Sequence, residues 1–317
     1  MFDFAQLGSS KVLAIGECMI ELAFPEGLVG STPNSRIAMG GDTLNTSIYM
    51  ARMGVSVSFL TGLGSDPYSE WLQQQWREEG VGLEQVHVLE HALPGLYAIQ
   101  TDEHGERSFH YWRAQSAAKQ WFTQSDSASK WSQIFSGYGV IYVSGITLSL
   151  MSEPARQAFY EAIKQWKRPD RALVFDINYR ARGWASASEA ATSLNAMMGL
   201  TDVALPTLED EIALFGGSEQ TVIQRYRDAG IQELLIKRGP EGVLLVDADT
   251  EELVPALLVD NVIDTTGAGD SYNGAYLSAR IKGVNPVDAA TAAHGLAAKV
   301  IGCRGAILPK ESMPDVI

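Results

Sequence analysis

The stretch Asn261-Val262-Ile263-Asp264-Thr265-Thr266-Gly267-Ala268-Gly269-Asp270-Ser271 gathers small residues and carboxylates in the way an anion-gripping turn requires. Small side chains at Gly267, Ala268 and Gly269 let backbone N–H groups approach a charged oxygen closely. An extended apolar stretch enters the turn, and the helix-like run Tyr272–Ile281 that leaves it would add the partial positive charge of a helix N-terminus. This is what stabilising a phosphoryl group needs while charge spreads over its oxygens. No Gly-Lys-Ser/Thr follows, so the turn is not a Walker loop; Asp-Ser-Tyr-Asn precedes Gly274, so it is not a GxGxxG fingerprint either. Instead Asp270 stands where the anion would bind. A carboxylate there repels a phosphate unless it takes the proton of an attacking hydroxyl, and the helix N-terminus should keep it ionised for that task. The plainer alternative is that Asp264 and Asp270 are ordinary caps beside a tight glycine turn.

A second group of residues suits recognition of a polar substrate. Tyr97 lies on the incoming arm of an expected hairpin, and Tyr111, Trp112 and Arg113 lie at its outgoing end. Arg180, in Asp176-Ile177-Asn178-Tyr179-Arg180, follows a predicted strand directly, where open α/β sheets place ligand contacts. Tyrosines and arginines together suit hydroxyls plus one negative group. Lys and Arg number 24 against 38 Asp and Glu, a net charge of −14, so two convergent arginines suggest a carboxylate or phosphate on the substrate. Pairing of Arg113 and Arg180 with surface acids such as Asp102 or Glu103 is the alternative.

These residues need a scaffold, and the pattern of the chain supplies one. Val12–Gly16, Val55–Leu60, Gly139–Ser144, Ala172–Asn178, Asp202–Pro206, Glu233–Lys237 and Gly242–Val246 read as strands. Leu44–Met53, Pro67–Glu79, Glu153–Trp166, Ser186–Met198 and Glu219–Ala229 carry helical apolar spacing between them. Continuous apolar strands alternating with helices predict a mostly parallel sheet covered on both faces. Two stretches break the rhythm. Residues 17–40 are rich in turn formers, and residues 95–113 read as Leu96–Thr101, a turn at 102–106, and Arg107–Trp112. Such an insertion predicts a flap beside the ligand crevice.

Composition excludes other classes. With 46% hydrophobic and 20% charged residues, the chain can bury a large core. Its acidity disfavours nucleic acid and anionic membranes. Cys18 and Cys303 are too few and too far apart for a disulfide framework or a CxxC metal site, and the five histidines show no metal spacing. No apolar run approaches the length of a membrane span, and Asp3, Lys11 and Glu17 make the start unlike a secretory signal, so a cytoplasmic location is expected. Trp71 and Trp76 read as packing residues, and Cys303 as part of a helix C-cap region.

Asp264-Thr265-Thr266-Gly267-Ala268-Gly269-Asp270 resembles the C-terminal signature of the ribokinase-like (PfkB) carbohydrate kinases. Gly40-Gly41-Asp42-Thr43-Leu44-Asn45 resembles the family's substrate-binding turn and helix, and Gly62-Leu63-Gly64-Ser65-Asp66 its G-x-G-x-D element. The correspondence runs in order along nearly the whole chain. It implies a Rossmann-like three-layer α/β/α sandwich, one kinase unit over 1–317, with a small β-sheet lid from about 17–40 and 95–113. It also implies phosphorylation of a sugar hydroxyl by ATP with Mg²⁺ bound mainly through the nucleotide, and a homo-oligomer. By position, Asp270 is then the general base, and the amides of Gly267, Ala268 and Gly269 form the anion hole. Gly41, Asp42 and Asn45 contact the sugar; Asn178, Lys237, Gly239 and Gly242 join the glycine turn in lying along ATP. Asp264 and Thr266 resemble positions that hold a monovalent cation, K⁺, in many members. One departure stands out. The family's N-x-x-E element, tied to Mg²⁺ and phosphate, falls on Thr207-Leu208-Glu209-Asp210, with Thr for Asn and Asp for Glu.

Gly16-Glu17-Cys18-Met19-Ile20-Glu21-Leu22, Leu93-Pro94-Gly95-Leu96-Tyr97, Tyr111-Trp112-Arg113 and Asp176-x-Asn178-Tyr179-Arg180 together are similar to the 2-keto-3-deoxygluconate kinase branch of the family. That likeness implies that Gly41, Tyr97, Tyr111, Arg113 and Arg180 contact the keto-acid and that its 6-hydroxyl is phosphorylated. A kinase for fructose or a related ketose is the nearest alternative, and a catalytically silent nucleotide-binding protein of the same fold is another. Gluconate and galactonate epimers are not separable at this level.

Overall fold

The computed structural model describes the chain apart from residues 8–9, 25–26, 29, 102–106, 249 and 315–317, and apart from the side chains at 101 and 107. The hairpin turn at 102–106, with Asp102 and Glu103, therefore lies outside the described residues.

The strands are β1 (Val12–Ile15), β2 (Met19–Ala23), β3 (Arg36–Gly40), β4 (Val57–Leu63), β5 (Val86–Val88), β6 (Gly95–Thr101), β7 (Arg107–Trp112), β8 (Val140–Ser144), β9 (Ala172–Asp176), β10 (Val203–Ala204), β11 (Glu233–Lys237), β12 (Val243–Val246) and β13 (Glu251–Val254). Nine of them form one sheet in the order β13-β12-β11-β10-β9-β8-β1-β4-β5. It is parallel from β11 to β5, with β12 and β13 added antiparallel at one edge. The strands inside the two edges, β1, β4 and β8 to β12, are buried on both faces, and alternate residues go to opposite sides. Val12, Ala14, Val140, Tyr142 and Val174 pack with the helices Asp42–Arg52, Ala268–Ile281 and Pro286–Ile301. Leu13, Ile15, Ile141, Val143 and Phe175 pack with the helices Ala117–Gln124, Ala128–Phe135, Glu153–Trp166 and Ala187–Met198. This period-two division is the three-layer sandwich expected from continuous apolar strands.

The parallel strands end together, and that common edge positions the chemistry. Glu17 lies just beyond β1, Ser144 ends β8, Asp176 ends β9 and Lys237 ends β11. Among the described residues no helix is long and apolar enough to cross a membrane.

A second sheet, in the order β3-β2-β6-β7, is built from the two stretches that broke the α/β rhythm. The β6–β7 register sets Tyr97 opposite Tyr111 and Leu96 opposite Trp112. Strand alternation therefore puts the two tyrosines on one face and Trp112 on the other. On that outer face Trp112, Ile20, Leu22, Ile37 and Leu93 line a cleft of about 1000 Å³.

Residues 17–40, turn-rich in their own pattern and assigned to the lid sheet by the family resemblance, contain β2 and β3 of the second sheet. Residues 261–263, before the glycine turn, lie outside any strand. The strand expected over Asp202–Pro206 is only Val203–Ala204.

Candidate active site

Two helix N-termini meet at the strand-end edge. Asn45, in the first turns of the Asp42–Arg52 helix, donates from Nδ2 to Asp270 Oδ2 at 2.8 Å. Thr46 Oγ1 donates to the Asp270 carbonyl at 3.1 Å. The helices can lie this close because Gly274 has no side chain: a β-carbon there would stand 2.8 Å from the Tyr49 β-carbon. The Ala268–Ile281 helix is capped by Gly267, whose φ of 74° is left-handed, and whose missing β-carbon would meet Ala306 at 2.7 Å. Asp264 anchors the approach to this cap. Its carboxylate accepts from the Thr266 amide at 3.0 Å and the Gly305 amide at 2.7 Å.

Asp270 is partly open to solvent. Withdrawal from bulk water, then the nearby Asp42 and Asp176 carboxylates, push its carboxyl up to about 7 against the opposing Asn45 hydrogen bond and Lys237 charge. Desolvation and two like charges thus push this carboxyl up, against the expected pull of the helix N-terminus toward the ionised form. A carboxyl titrating near 7 is nevertheless well matched to general-base work. The anion hole also needs adjustment. The Ala268 amide donates to the Thr265 carbonyl at 3.2 Å, whereas Gly269 belongs to the first helical turn, whose N–H groups lack intrahelical acceptors.

Around this carboxylate runs a connected polar network. Asn178 Nδ2 donates to Asp42 Oδ2 at 2.9 Å, and the Asn178 amide to Asp176 Oδ1 at 3.2 Å. Asn178 has φ 33°, a conformation uncommon for a residue with a side chain and found at constrained functional turns. Lys237 Nζ meets Asp176 Oδ2 at 2.8 Å and Asn273 Oδ1 at 3.2 Å. Tyr142 OH lies between Asn273 Nδ2 (3.1 Å) and Thr46 Oγ1 (3.3 Å).

Among the residues expected to face the sugar, Gly41 packs against the backbone of Glu17, where any β-carbon would collide 2.2 Å from its carbonyl oxygen. Buried Glu17 pairs with Arg113 and accepts from Ser116; burial raises its carboxyl, opposed by Arg113. Tyr97 OH donates to Glu21 Oε2 at 2.6 Å beside Gly40. Tyr111 is exposed and stacks obliquely on Tyr97 with ring centroids 5.9 Å apart. Arg180 donates from Nη1 to both Asp210 oxygens at 2.9 Å. Arg113 is thus paired with a buried acid, and Arg180 with the partly buried Asp210.

Other expected nucleotide residues lie farther along the edge. Gly239 (φ 56°) opens a short 3-10 turn between β11 and β12, and Gly242 (φ 108°) closes it where a β-carbon would strike the Val254 carbonyl at 2.2 Å. Among the described residues none forms a carboxylate cluster dedicated to Mg²⁺. Asp210 has both oxygens on Arg180, and no group of three or more His, Cys, Asp or Glu among the described residues is placed to hold a metal ion. Sequence reasoning missed Glu17, Glu21, Tyr142, Asp176 and Asn273 as site members. A signal did exist for Asp176, a carboxylate ending the apolar strand Ala-Leu-Val-Phe-Asp in an α/β pattern.

The model of the pfkB family carbohydrate kinases matches residues 9–313. The chain belongs to that family. The kinase is 39% identical over 314 residues to the 2-dehydro-3-deoxygluconokinase of Escherichia coli K12, covering 96% of this chain and 99% of the relative. Its fold is shared with the 2-dehydro-3-deoxygluconokinase of Thermotoga maritima, with a TM-score of 0.82, 22% identity, and coverage of 96% of this chain and 98% of that one. It is shared as well with a ribokinase II from E. coli in complex with ATP and Mg²⁺, with a TM-score of 0.81, 22% identity and 94% of each chain covered. In this pfkB kinase the glycine turn, the GGD turn and the strand-end network meet at one edge of the sheet.

Proposed function

We propose that this kinase transfers the γ-phosphoryl group of ATP to the 6-hydroxyl of 2-keto-3-deoxygluconate (2-dehydro-3-deoxygluconate), giving 2-keto-3-deoxy-6-phosphogluconate and ADP. One observation carries the chemistry: the Asp270 carboxylate, hydrogen-bonded by Asn45, sits in the first turn of the glycine-capped helix, where burial and two like charges push it up to about 7. The E. coli relative's name, at 39% identity over nearly the full chain, supports the keto-acid.

The substrate lies between the GGD turn and the inner face of the second sheet, which acts as its lid. Arg113 and Arg180 take its carboxylate; Tyr97, Tyr111, Gly41, Asp42 and Asn45 fix its other oxygens. Asp270 accepts the 6-hydroxyl proton as that oxygen forms its bond to the γ-phosphorus and the bond to the bridging β–γ oxygen breaks, releasing ADP. Gly267 and Gly269 amides, with Ala268 on release of its Thr265 bond, face the transferred group, and Lys237, Asn178 and the Gly239–Gly242 turn face the nucleotide. Mg²⁺ is part of the MgATP substrate, where it would neutralise the phosphates. Asp264 and Thr266 are the residues that would hold a K⁺, which would steady the loop that sets the glycine cap. Exposed Trp112, Ile37 and Leu93 on the outer lid face support contact with a second copy, and the enzyme works in the cytoplasm.

Coupled-assay ADP release with MgATP tests the reading, comparing 2-keto-3-deoxygluconate, its galactonate epimer, fructose and ribose. A strong preference for the keto-acids is the expected result. Equal turnover of fructose would mean that Arg113 and Arg180 stay with Glu17 and Asp210 throughout, and the enzyme would be a ketose kinase.

A further inference from the structure

Asp176 touches neither end of the proposed reaction path, yet the network converges on it. We infer that Asp176 is a positioning residue for phosphoryl transfer, holding the Lys237 ammonium against the N-terminus of the Ala268–Ile281 helix; this rests on the kinase reading above.

The geometry is specific. β10 lies between β9 and β11, so Lys237 must reach across a strand to meet Asp176. Asn273, one turn into the Ala268–Ile281 helix, completes a triangle: its Oδ1 accepts from Lys237 at 3.2 Å and its Nδ2 donates to Asp176 Oδ2 at 2.7 Å. All three side chains are buried. The ammonium is thereby fixed 3.7 Å from where a β-carbon on Gly269 would lie, at the helix end that the transferred group must approach. An ammonium has three protons, and Asp176 and Asn273 account for two. A lysine on a flexible stem would otherwise lose several rotamers of freedom to hold this place. The other Asp176 oxygen accepts the Asn178 amide, so the same carboxylate also sets the turn that grips Asp42.

The assignment predicts a signature that a merely structural ion pair lacks. Charged and polar groups facing Asp270 are Asp42 and Asn45 from the Asp42–Arg52 helix, Asp176 from β9 and Lys237 from β11; the Tyr49 and Tyr142 hydroxyls also lie in its field, and burial keeps both neutral. Asp176 and Lys237 act on Asp270 with opposite sign. Removing each charge should therefore move the acid limb of the pH–rate profile in opposite directions.

The test is steady-state kinetics against pH for the native enzyme, Asp176→Asn, Lys237→Met and the double variant, with ATP and whichever sugar the native enzyme accepts. Each single variant should lose about tenfold or more in kcat, with KM values changed less. The acid limb should move down in Asp176→Asn and up in Lys237→Met, each by about half a pH unit or more. Because Asp176 acts through Lys237, the double variant should be no slower than Lys237→Met alone, with its limb near the native position. Native kcat in either single variant, unmoved limbs, or fully additive losses would overturn the assignment. Should Asp176→Asn fail to fold, the double variant, which buries no unpaired charge, still decides through its kcat relative to Lys237→Met. No ADP release by the native enzyme with any sugar would instead sink the kinase reading itself.

Discussion

Asn45 Nδ2 and Asp270 Oδ2 are 2.8 Å apart, a hydrogen bond linking residues 225 positions apart in the chain. It fixes the proposed base against the helix whose first turn carries Asp42. The bond favours the ionised carboxylate, whereas desolvation and the Asp42 and Asp176 charges favour the protonated one, and the balance lies near 7.

Replacing the base should separate chemistry from binding. Asp270→Asn is expected to lose at least ~10²-fold in kcat while KM for both substrates stays within about threefold. Near-native turnover would show that another group takes the proton.

The raised carboxyl also sets a pH dependence. As pH falls through about 7, Asp270 gains its proton and kcat/KM should drop with it. Asn45→Ala removes the bond that favours the anion, so its acid limb should sit higher than native. A profile flat down to pH 5 in the native enzyme would contradict the site as described.

Stability should respond with a definite sign. Between an ordinary carboxylate's pKa, near 4, and about 7, the folded state holds a proton that the unfolded chain has released. Stability at this group therefore falls as pH rises through that window. Asp270→Asn escapes the loss. Its melting temperature relative to native should be more favourable at pH 8 than at pH 5, by about 2 °C or more, in scanning calorimetry. An equal difference at both pH values would argue against a raised carboxyl.

Arg113 and Arg180 should fail differently. Arg113 is the partner of a buried carboxylate, so Arg113→Ala strands Glu17 and should cost about 3 kcal/mol of stability as well as raising the keto-acid KM. The Arg180 side chain is 56% exposed and its pairing with Asp210 is worth little to the fold. Arg180→Ala should raise the keto-acid KM about tenfold or more, with the ATP KM and melting temperature nearly unchanged. A rise confined to the ATP KM would move Arg180 to the nucleotide side.

Gly267 tests the cap. Alanine there meets both a left-handed φ of 74° and the Ala306 backbone at 2.7 Å. Gly267→Ala should lower stability by about 1–3 kcal/mol and reduce kcat. Native values for both would mean the turn relaxes freely.

The α/β order, the individual helix Glu153–Trp166 and the strand Glu233–Lys237 were legible because local periodicity and burial agree there. The glycine turn at the start of the Ala268–Ile281 helix was legible because small residues there suit a left-handed cap. What local pattern alone did not mark were the bounds of β2 and β3, five-residue strands among turn formers; β3 pairs with β2, and β2 takes its second neighbour from β6, far along the chain. It also missed the acids. Glu17 and Asp176 look like any strand-end carboxylates until the sheet brings Arg113 and Lys237 to them. The upward push on the Asp270 carboxyl likewise comes from tertiary structure. A helix end is a local feature, readable in one dimension, whereas desolvation and the fields of Asp42 and Asp176 depend on three segments meeting in space. Residue types and short spacings determined which chemistry the chain carries; the meeting of distant segments decided which charges are paired, and at what pH the base is ready.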